Sequence, residues 1–167
     1  GCVSVVRNTV TRAQATYQRL AGVFGADVVL LHSRFVAPHR AVKEAALVSR
    51  LGRGGDRPHR LIVVGTQVLE QSLDIDFDLM VSDLAPIDLL LQRMGRVHRH
   101  RGRQRPSGMA EPTFLISGAE EWSTEPPTPV RGSVTVYGAA ALYRALTVLR
   151  PHLGTTMEVP DDIPRLV

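Results

Sequence analysis

Residues 3–31 read VSVVRNTVTRAQATYQRLAGVFGADVVLL. The stretch opens on a β-branched run, Val3 to Val6, and closes on a second apolar run, Val28 to Leu31. Between them Val10, Ala13, Tyr17, Leu20 and Phe24 recur at helical spacing, which gives that segment one apolar face. Thr11 and Gln14 have the spacing of a capping box near the helix start. Strand, helix, strand is the unit from which parallel sheets are assembled.

The pattern continues outward from there. Pro38 is placed as the first residue of a second helix, with Val42, Ala45, Ala46 and Leu51 on its inner face. Gly52 to Pro58 is a Gly/Arg-rich loop, and Leu61–Val64 and Leu79–Val81 are two further strands. Pro86 opens a helix carrying Leu89, Leu90 and Met94, with Gly95 near its end. Thr113 to Ile116 is a fifth strand. The alternation predicts an α/β domain whose mostly parallel sheet is covered on both faces. Ligands of such sheets bind beyond the carboxyl ends of the strands. Residues 1–117 form the predicted core and 118–133, with Pro126, Pro127 and Pro129, an exposed connection. Residues 134–167 hold a last helix, with Leu142, Ala145, Leu146 and Leu149 on one face, and an extended tail.

At 167 residues and 44% hydrophobic content the chain has the makings of one ordinary core. Of twenty basic residues only Lys43 is lysine; arginine is the side chain suited to bidentate phosphate contacts. The single cysteine, Cys2, rules out an internal disulfide and a cysteine-based zinc site. It suits a reducing cytoplasm. No apolar run approaches the ~20 residues that span a bilayer, and the start lacks the layout of a signal peptide. The chain opens on an apolar strand with no initiator methionine and reads as a piece of a longer protein.

The chemistry concentrates in Gln92-Arg93-Met94-Gly95-Arg96-Val97-His98-Arg99. Three arginines spaced by three lie on and just past a helix end, with Gly95 expected to let the backbone turn between them. Guanidinium groups so placed can surround a polyphosphate, and an arginine finger contributes roughly 10³–10⁵ in phosphoryl-transfer rate. Upstream lies the block Gly65 to Asp78, at the mouth of the third strand. There Thr66 can offer its hydroxyl and amide to a nucleic-acid phosphate, and Asp74 can accept from a ribose hydroxyl. Asp76 and Asp78 read as solvated loop carboxylates.

Together these two blocks resemble motifs V and VI of superfamily 2 helicases. With Asn8-Thr9-Val10, His32-Ser33-Arg34-Phe35, Ala85-Pro86-Ile87-Asp88 and the final Val159 to Val167, nearly the whole chain resembles the CRISPR-associated type I helicase–nucleases. The resemblance implies a RecA-like three-layer domain, the second of two in an ATP-dependent motor. It implies that Arg96 and Arg99 are γ-phosphate sensor and arginine finger, with Gln92 and Arg93 as positioning partners and Asp74 at the nucleotide sugar. It also implies that Asn8, Thr9 and Thr66 hold the DNA backbone, joined by His32, Ser33 and Arg34. The implied partners are the first RecA-like domain, a histidine–aspartate nuclease domain, single-stranded DNA and a crRNA-guided surveillance complex.

No G-x-x-x-x-G-K-[ST] loop occurs, nor a magnesium-binding Asp-Glu-x-His or Asp-Glu-x-Asp. ATP and Mg²⁺ are therefore expected to be held mainly by a first RecA-like domain, and the chain alone is expected neither to hydrolyse ATP nor to cut DNA. His98 and His100 lack carboxylate or cysteine partners at metal spacing, so no metal site is expected. Two other readings stay open. One is the RecA-like domain of a different superfamily 2 translocase, from restriction or repair. The other is a non-catalytic nucleic-acid-binding module using the six arginines from Arg93 to Arg105.

Overall fold

The computed structural model describes residues 1–70, 73–157, 161 and 163–165. Five strands, β1 (Cys2–Val6), β2 (Val28–Leu31), β3 (Leu61–Gly65), β4 (Leu79–Asp83) and β5 (Thr113–Ser117), form one sheet in the order β2-β3-β1-β4-β5. Every pairing in it is parallel. Val6 registers with Gly65 on one side and Ser82 on the other, and Leu31 with Gly65. The turns after β1, β2, β3 and β4 therefore meet at one carboxyl edge.

Helices cover both faces. On one, α1 (Val10–Phe24) packs Ala13, Tyr17, Leu20 and Phe24 against Val5, Val28, Ile62 and Val64. On the other, Leu47 and Leu51 of α2 (Ala37–Leu51) join Val6, Leu31, Leu61, Val63, Met80 and, from the irregular β3–β4 crossover, Leu69, Ile75 and Phe77. Alternate strand residues serve opposite faces, which is why Val5 and Val6 belong to different clusters. A third cluster joins α3 (Ile87–Met94) to a helix near the C-terminus through Leu84, Ala85, Leu90, Leu142, Ala145 and Leu146.

Local details differ from expectation. Thr9, not Thr11, caps α1: its backbone is extended and its hydroxyl accepts from the Arg12 amide at 3.3 Å. Thr11 falls inside the first turn, where a side-chain cap has no role. Helix α2 begins one residue before Pro38, and its expected inner face is exposed: Val42 is 70% accessible, and Ala45 and Ala46 are exposed. Only the turns carrying Leu47 and Leu51 reach the sheet, and Val42 sits about 140° around the axis from Leu47. The 118–133 region is more than a connection. It holds a two-stranded antiparallel ribbon, β6 (Ala119–Glu121) with β7 (Thr128–Pro129), and the start of α4 (Arg131–Tyr137). Helix α5 (Ala139–Leu149) follows and buries the predicted Leu142, Ala145, Leu146 and Leu149. Most of the tail expected to be extended lies outside the described residues, as do Gln71 and Ser72; Ile163–Arg165 forms one 3₁₀ turn.

Candidate nucleotide and nucleic-acid site

At the carboxyl edge, β1 and β4 end side by side on Arg7-Asn8 and Asp83. The Asp83 carboxylate is fully buried between Arg7 (Nη1 at 2.8 Å) and Arg12 (Nε at 3.0 Å), and it also accepts from the Asn8 amide. Asn8, expected to hold DNA, is instead 3% exposed and spends its side chain internally. Its Nδ2 donates to the Leu84 carbonyl at 2.6 Å and to Ser133 Oγ at 2.8 Å, and its Oδ1 accepts from Arg93. Thr66 is also buried, with its amide donating to the Leu31 carbonyl at 3.2 Å, so that amide is not free for a phosphate. Thr9 stays partly exposed beside them. In the turn after β2, His32 is buried and stacks on Phe35 with ring centroids 4.3 Å apart, while Ser33 and Arg34 face solvent. Lys43 lies 4.9 Å over the same Phe35 ring, a cation–π contact that steadies the turn. Burial pulls the His32 pKa down, and the charges of Arg34 and Lys43 add to the effect.

Arg93 ties this edge to the crossover. It is 1% exposed, and its Nε donates to Glu70 at 2.6 Å. One Nη donates to Ser82 Oγ at 2.7 Å and to the Asp83 carbonyl at 3.0 Å; the other donates to Asn8 Oδ1 at 3.3 Å. Burial pushes the Glu70 carboxyl up, and Arg93 offsets this only in part. Four groups, from the turns after β1 and β3 and the end of β4, thus share one guanidinium.

Arg96 and Arg99 stand past the end of α3, with Phe77 and Val97 joined as a short parallel bridge. The left-handed residue there is His98, at φ 50°, and not Gly95, whose φ of −62° is ordinary. A non-glycine residue pays roughly 1–2 kcal/mol for that conformation. The Phe77–His98 backbone bond at 3.0 Å and the His98 Nε2 contact to the Asp78 carbonyl hold it in place. Arg96 is 9% exposed, and its two Nη groups donate to the carbonyls of Glu70 and Leu73. Its Nε is buried without a partner, no carboxylate among the described residues hydrogen-bonds it, and burial pulls its pKa down. Arg99 is half exposed, and its Nε donates to Asp74 at 2.7 Å. His100 Nε2 lies 3.0 Å from the same carboxylate; bonds from Arg99 and His100 hold Asp74 below the usual carboxylate range. Gln92 is exposed on α3.

Asp76 and Asp78 overturn their expected solvation, for both are 0% exposed. Arg105 donates to each, at 2.9 Å and 2.7 Å. Arg57 pairs with Asp78 at 2.7 Å and Arg103 with Asp76 at 3.3 Å. The arginine-rich run is therefore mostly inward-facing: of its six guanidinium residues only Arg99 and Arg101 are exposed. Among the described residues no cluster of three His, Cys, Asp or Glu is grouped to hold a metal ion. Sequence reasoning passed over Asp83, Glu70, Gln67, Ser133 and Tyr137. The first could be found only with strand order in hand, because the Val6–Ser82 register sets Arg7 beside Asp83.

Buried carboxylates at the two ends of β4, Asp83 at the carboxyl edge and Asp78 at the amino end, set an acid limit on the fold. Burial alone raises the Asp83 carboxyl, but the Arg12 bond and the Arg7 charge outweigh it, and the net pKa is lowered. Asp78 behaves alike, with the Cys2 amide, Arg57 and Arg105 outweighing burial. A carboxyl depressed on folding contributes stability above its unfolded pKa of about 4 and loses it as pH falls through the folded value. The urea midpoint should therefore drop below about pH 4, and Asp83→Asn should flatten that slope while lowering stability at neutral pH. An unaltered slope in the variant would remove Asp83 from the account.

The family model described as "CRISPR-associated nuclease/helicase Cas3, C-terminal" matches residues 1–102. The CRISPR-associated nuclease/helicase Cas3 of Streptococcus thermophilus is 43% identical over 169 residues, taking in 100% of this chain and 17% of that protein. The crystal structure of T. fusca Cas3 with AMPPNP superposes at TM-score 0.91 and 39% identity, over 99% of this chain and 19% of that one. A chain of a CRISPR RNA-guided surveillance complex, pre-nicking, superposes at TM-score 0.86 and 38% identity, over 98% of this chain and 20% of that one. The chain spans about a fifth of the length of the relatives it matches. Parallel sheet, covering helices and matched motifs agree on a RecA-like helicase domain, and the chain belongs to the C-terminal-domain family of the CRISPR-associated nuclease/helicases Cas3.

Proposed function

We propose that this chain is the second RecA-like motor domain of an ATP-dependent single-stranded-DNA translocase acting in CRISPR interference. The observation that carries the reading is the state of Arg96. Its guanidinium is nearly buried and, among the described residues, hydrogen-bonded only to carbonyl oxygens, with its Nε left without a partner. A buried N–H without an acceptor is costly, and a polyphosphate oxygen seated there would accept from it. Arg99, beside it, is held by one exposed carboxylate that it can leave at little cost. Asp74, exposed at the same rim, suits a ribose hydroxyl.

Bound ATP with Mg²⁺ supplies the phosphoryl group to be transferred to water, and the remaining ligands of both would come from a first RecA-like domain. This chain's own part is to close on that domain. Arg96 holds charge at the terminal phosphate, Arg99 swings from Asp74 to the developing charge, and Arg93 fixes both relative to the sheet. Gln92 adds a polar contact at the cleft. At the carboxyl edge Thr9, Ser33 and Arg34 are the exposed groups suited to DNA phosphates. Asn8, Thr66 and His32, being buried, act by shaping that edge. Backbone contacts of this kind carry no sequence information, as a translocase requires. The reading places residues 1–117 as the motor core, with a nuclease domain elsewhere in a longer cytoplasmic protein. The similarity to a chain of a CRISPR RNA-guided surveillance complex supports such a complex as partner.

The deciding experiment measures ATP turnover with and without single-stranded DNA, for this chain alone and for the complete protein. Turnover only by the complete protein, stimulated by single strands, is expected. Turnover that ignores DNA would sink the motor reading. Tight, steeply salt-dependent binding of single strands by this chain alone, with no turnover by the complete protein, would favour a non-catalytic binding module.

A further inference from the structure

The hydrogen bonds at the carboxyl edge converge on a helix outside the 1–102 stretch that carries the family match. Helix α4 presents Ser133 and Tyr137 one turn apart, on the same side. Ser133 is fully buried and accepts from Asn8 Nδ2 at 2.8 Å. The Tyr137 hydroxyl accepts from Gln67 Nε2 at 2.9 Å and from Arg93 Nη2 at 3.4 Å. Gln67 Nε2 also donates to the Asn8 carbonyl at 3.2 Å. The helix sits close here: a Cβ on Gly132 would lie 3.2 Å from Thr9 Cγ2.

Three separate segments thus meet one phenolic oxygen and its neighbour a turn away. They are the turn after β1, the turn after β3 and the end of α3. Gln67 also bonds the Asn8 carbonyl, next to the partly exposed Thr9. Arg93 shares Glu70 with Arg96, because Arg93 bonds the Glu70 carboxylate while Arg96 bonds its carbonyl. The Asn8-Thr9 turn is thereby joined through Gln67 and the Tyr137 hydroxyl to Arg93.

We propose that Tyr137 is a positioning residue that couples DNA engagement at the Thr9 turn, relayed by Gln67, to the placement of Arg93 and Arg96 at the nucleotide. The inference rests on the motor reading above and adds to it a residue that touches neither ligand. A phenolic oxygen suits the task because it accepts two donors at once, and its ring is anchored among the apolar side chains around Leu84 and Leu142. Coupling energies between sites typically correspond to a 5- to 150-fold effect.

The test is Tyr137→Phe in the complete protein, which removes only the shared oxygen. Expected is a fall of about tenfold in the single-strand-stimulated kcat, with the rate without DNA, the KM for ATP and the thermal midpoint held at wild-type values. Gln67→Ala should act alike, and the double variant should fall no further than either single one. An unchanged stimulation ratio would overturn the proposal. So would equal losses of basal and stimulated rates with a lowered midpoint, or strictly additive effects in the cycle. Should Tyr137→Phe fail to fold, Gln67→Ala decides on the same readouts. Arg99→Ala serves as the parallel control. If it keeps turnover, the arginine-finger part of the motor reading fails; if wild-type turnover ignores DNA, the motor reading itself fails. If it loses turnover while Tyr137→Phe behaves as wild type, only the coupling fails.

Discussion

Arg99→Ala in the complete protein should lower ATP turnover by about 10³-fold or more, the range an arginine finger contributes, while leaving DNA binding and folding intact. The case begins with exposure. The Arg99 and Asp74 side chains are 46% and 57% accessible, so their ion pair contributes at most about 1 kcal/mol. Losing it cannot unfold the domain. The same weakness makes the pair a resting place and not a bond that must be kept: the guanidinium can leave Asp74 when a stronger anion enters. Arg99→Lys should recover little, since an ammonium cannot present two parallel donors to one phosphate. Single-turnover hydrolysis at saturating nucleotide, with DNA binding followed separately, reads both halves. Wild-type turnover in Arg99→Ala would end the finger assignment. Arg93→Ala forms the contrast: it strands a buried Glu70 and should fail by unfolding before any loss of chemistry is measurable.

The strand runs were legible in the sequence because they are short, uninterrupted and mostly apolar, so Val28–Leu31 is placed without error and the others within two residues. The turns that bear the motifs were legible too, since each follows directly on a strand. What escaped depends on long-range pairing. Asp76 and Asp78 look like loop carboxylates because Arg57 lies about twenty residues before them and Arg105 nearly thirty after. Nothing local marks these as partners. The face of α2 was misjudged for a related reason. Periodicity states that a helix has an apolar side, but only the packing decides which turns meet the sheet, and here Val42 meets none. The proline-rich stretch hid α4, whose seven residues are too few for a period to show. With it went Ser133 and Tyr137. His98 was missed because glycine is the habitual left-handed residue, whereas here the bonds around Phe77 hold a histidine in that state.

A large loss of stability, like that of Arg93→Ala, should come from Asp76→Asn. The Asp76 carboxylate is fully buried and accepts from Arg105 through both oxygens, at 2.9 and 3.0 Å. It also accepts from Arg57, lies 3.3 Å from the Arg103 Nε, and receives the His100 amide. Three guanidinium groups share this carboxylate and Asp78, so the cluster already carries an excess of one positive charge. Neutralising Asp76 leaves the buried Asp78 alone against three largely buried cations. Breaking a buried ion pair from one side costs about 3–5 kcal/mol, a large part of the 5–15 kcal/mol that typically holds a domain together. The urea midpoint of Asp76→Asn should fall accordingly, with Asp74→Asn at the exposed rim serving as a control near wild type. Adding Arg105→Leu to Asp76→Asn should restore part of the loss, because it removes one of the stranded charges. That pattern, loss and partial rescue, separates a charge cluster from simple packing. A wild-type midpoint in Asp76→Asn would refute it. The consequence reaches the chemistry, since Asp76 anchors the His100 amide one residue past Arg99. The same buried carboxylate that steadies the loop also fixes the backbone beside Arg99, the residue proposed as the finger.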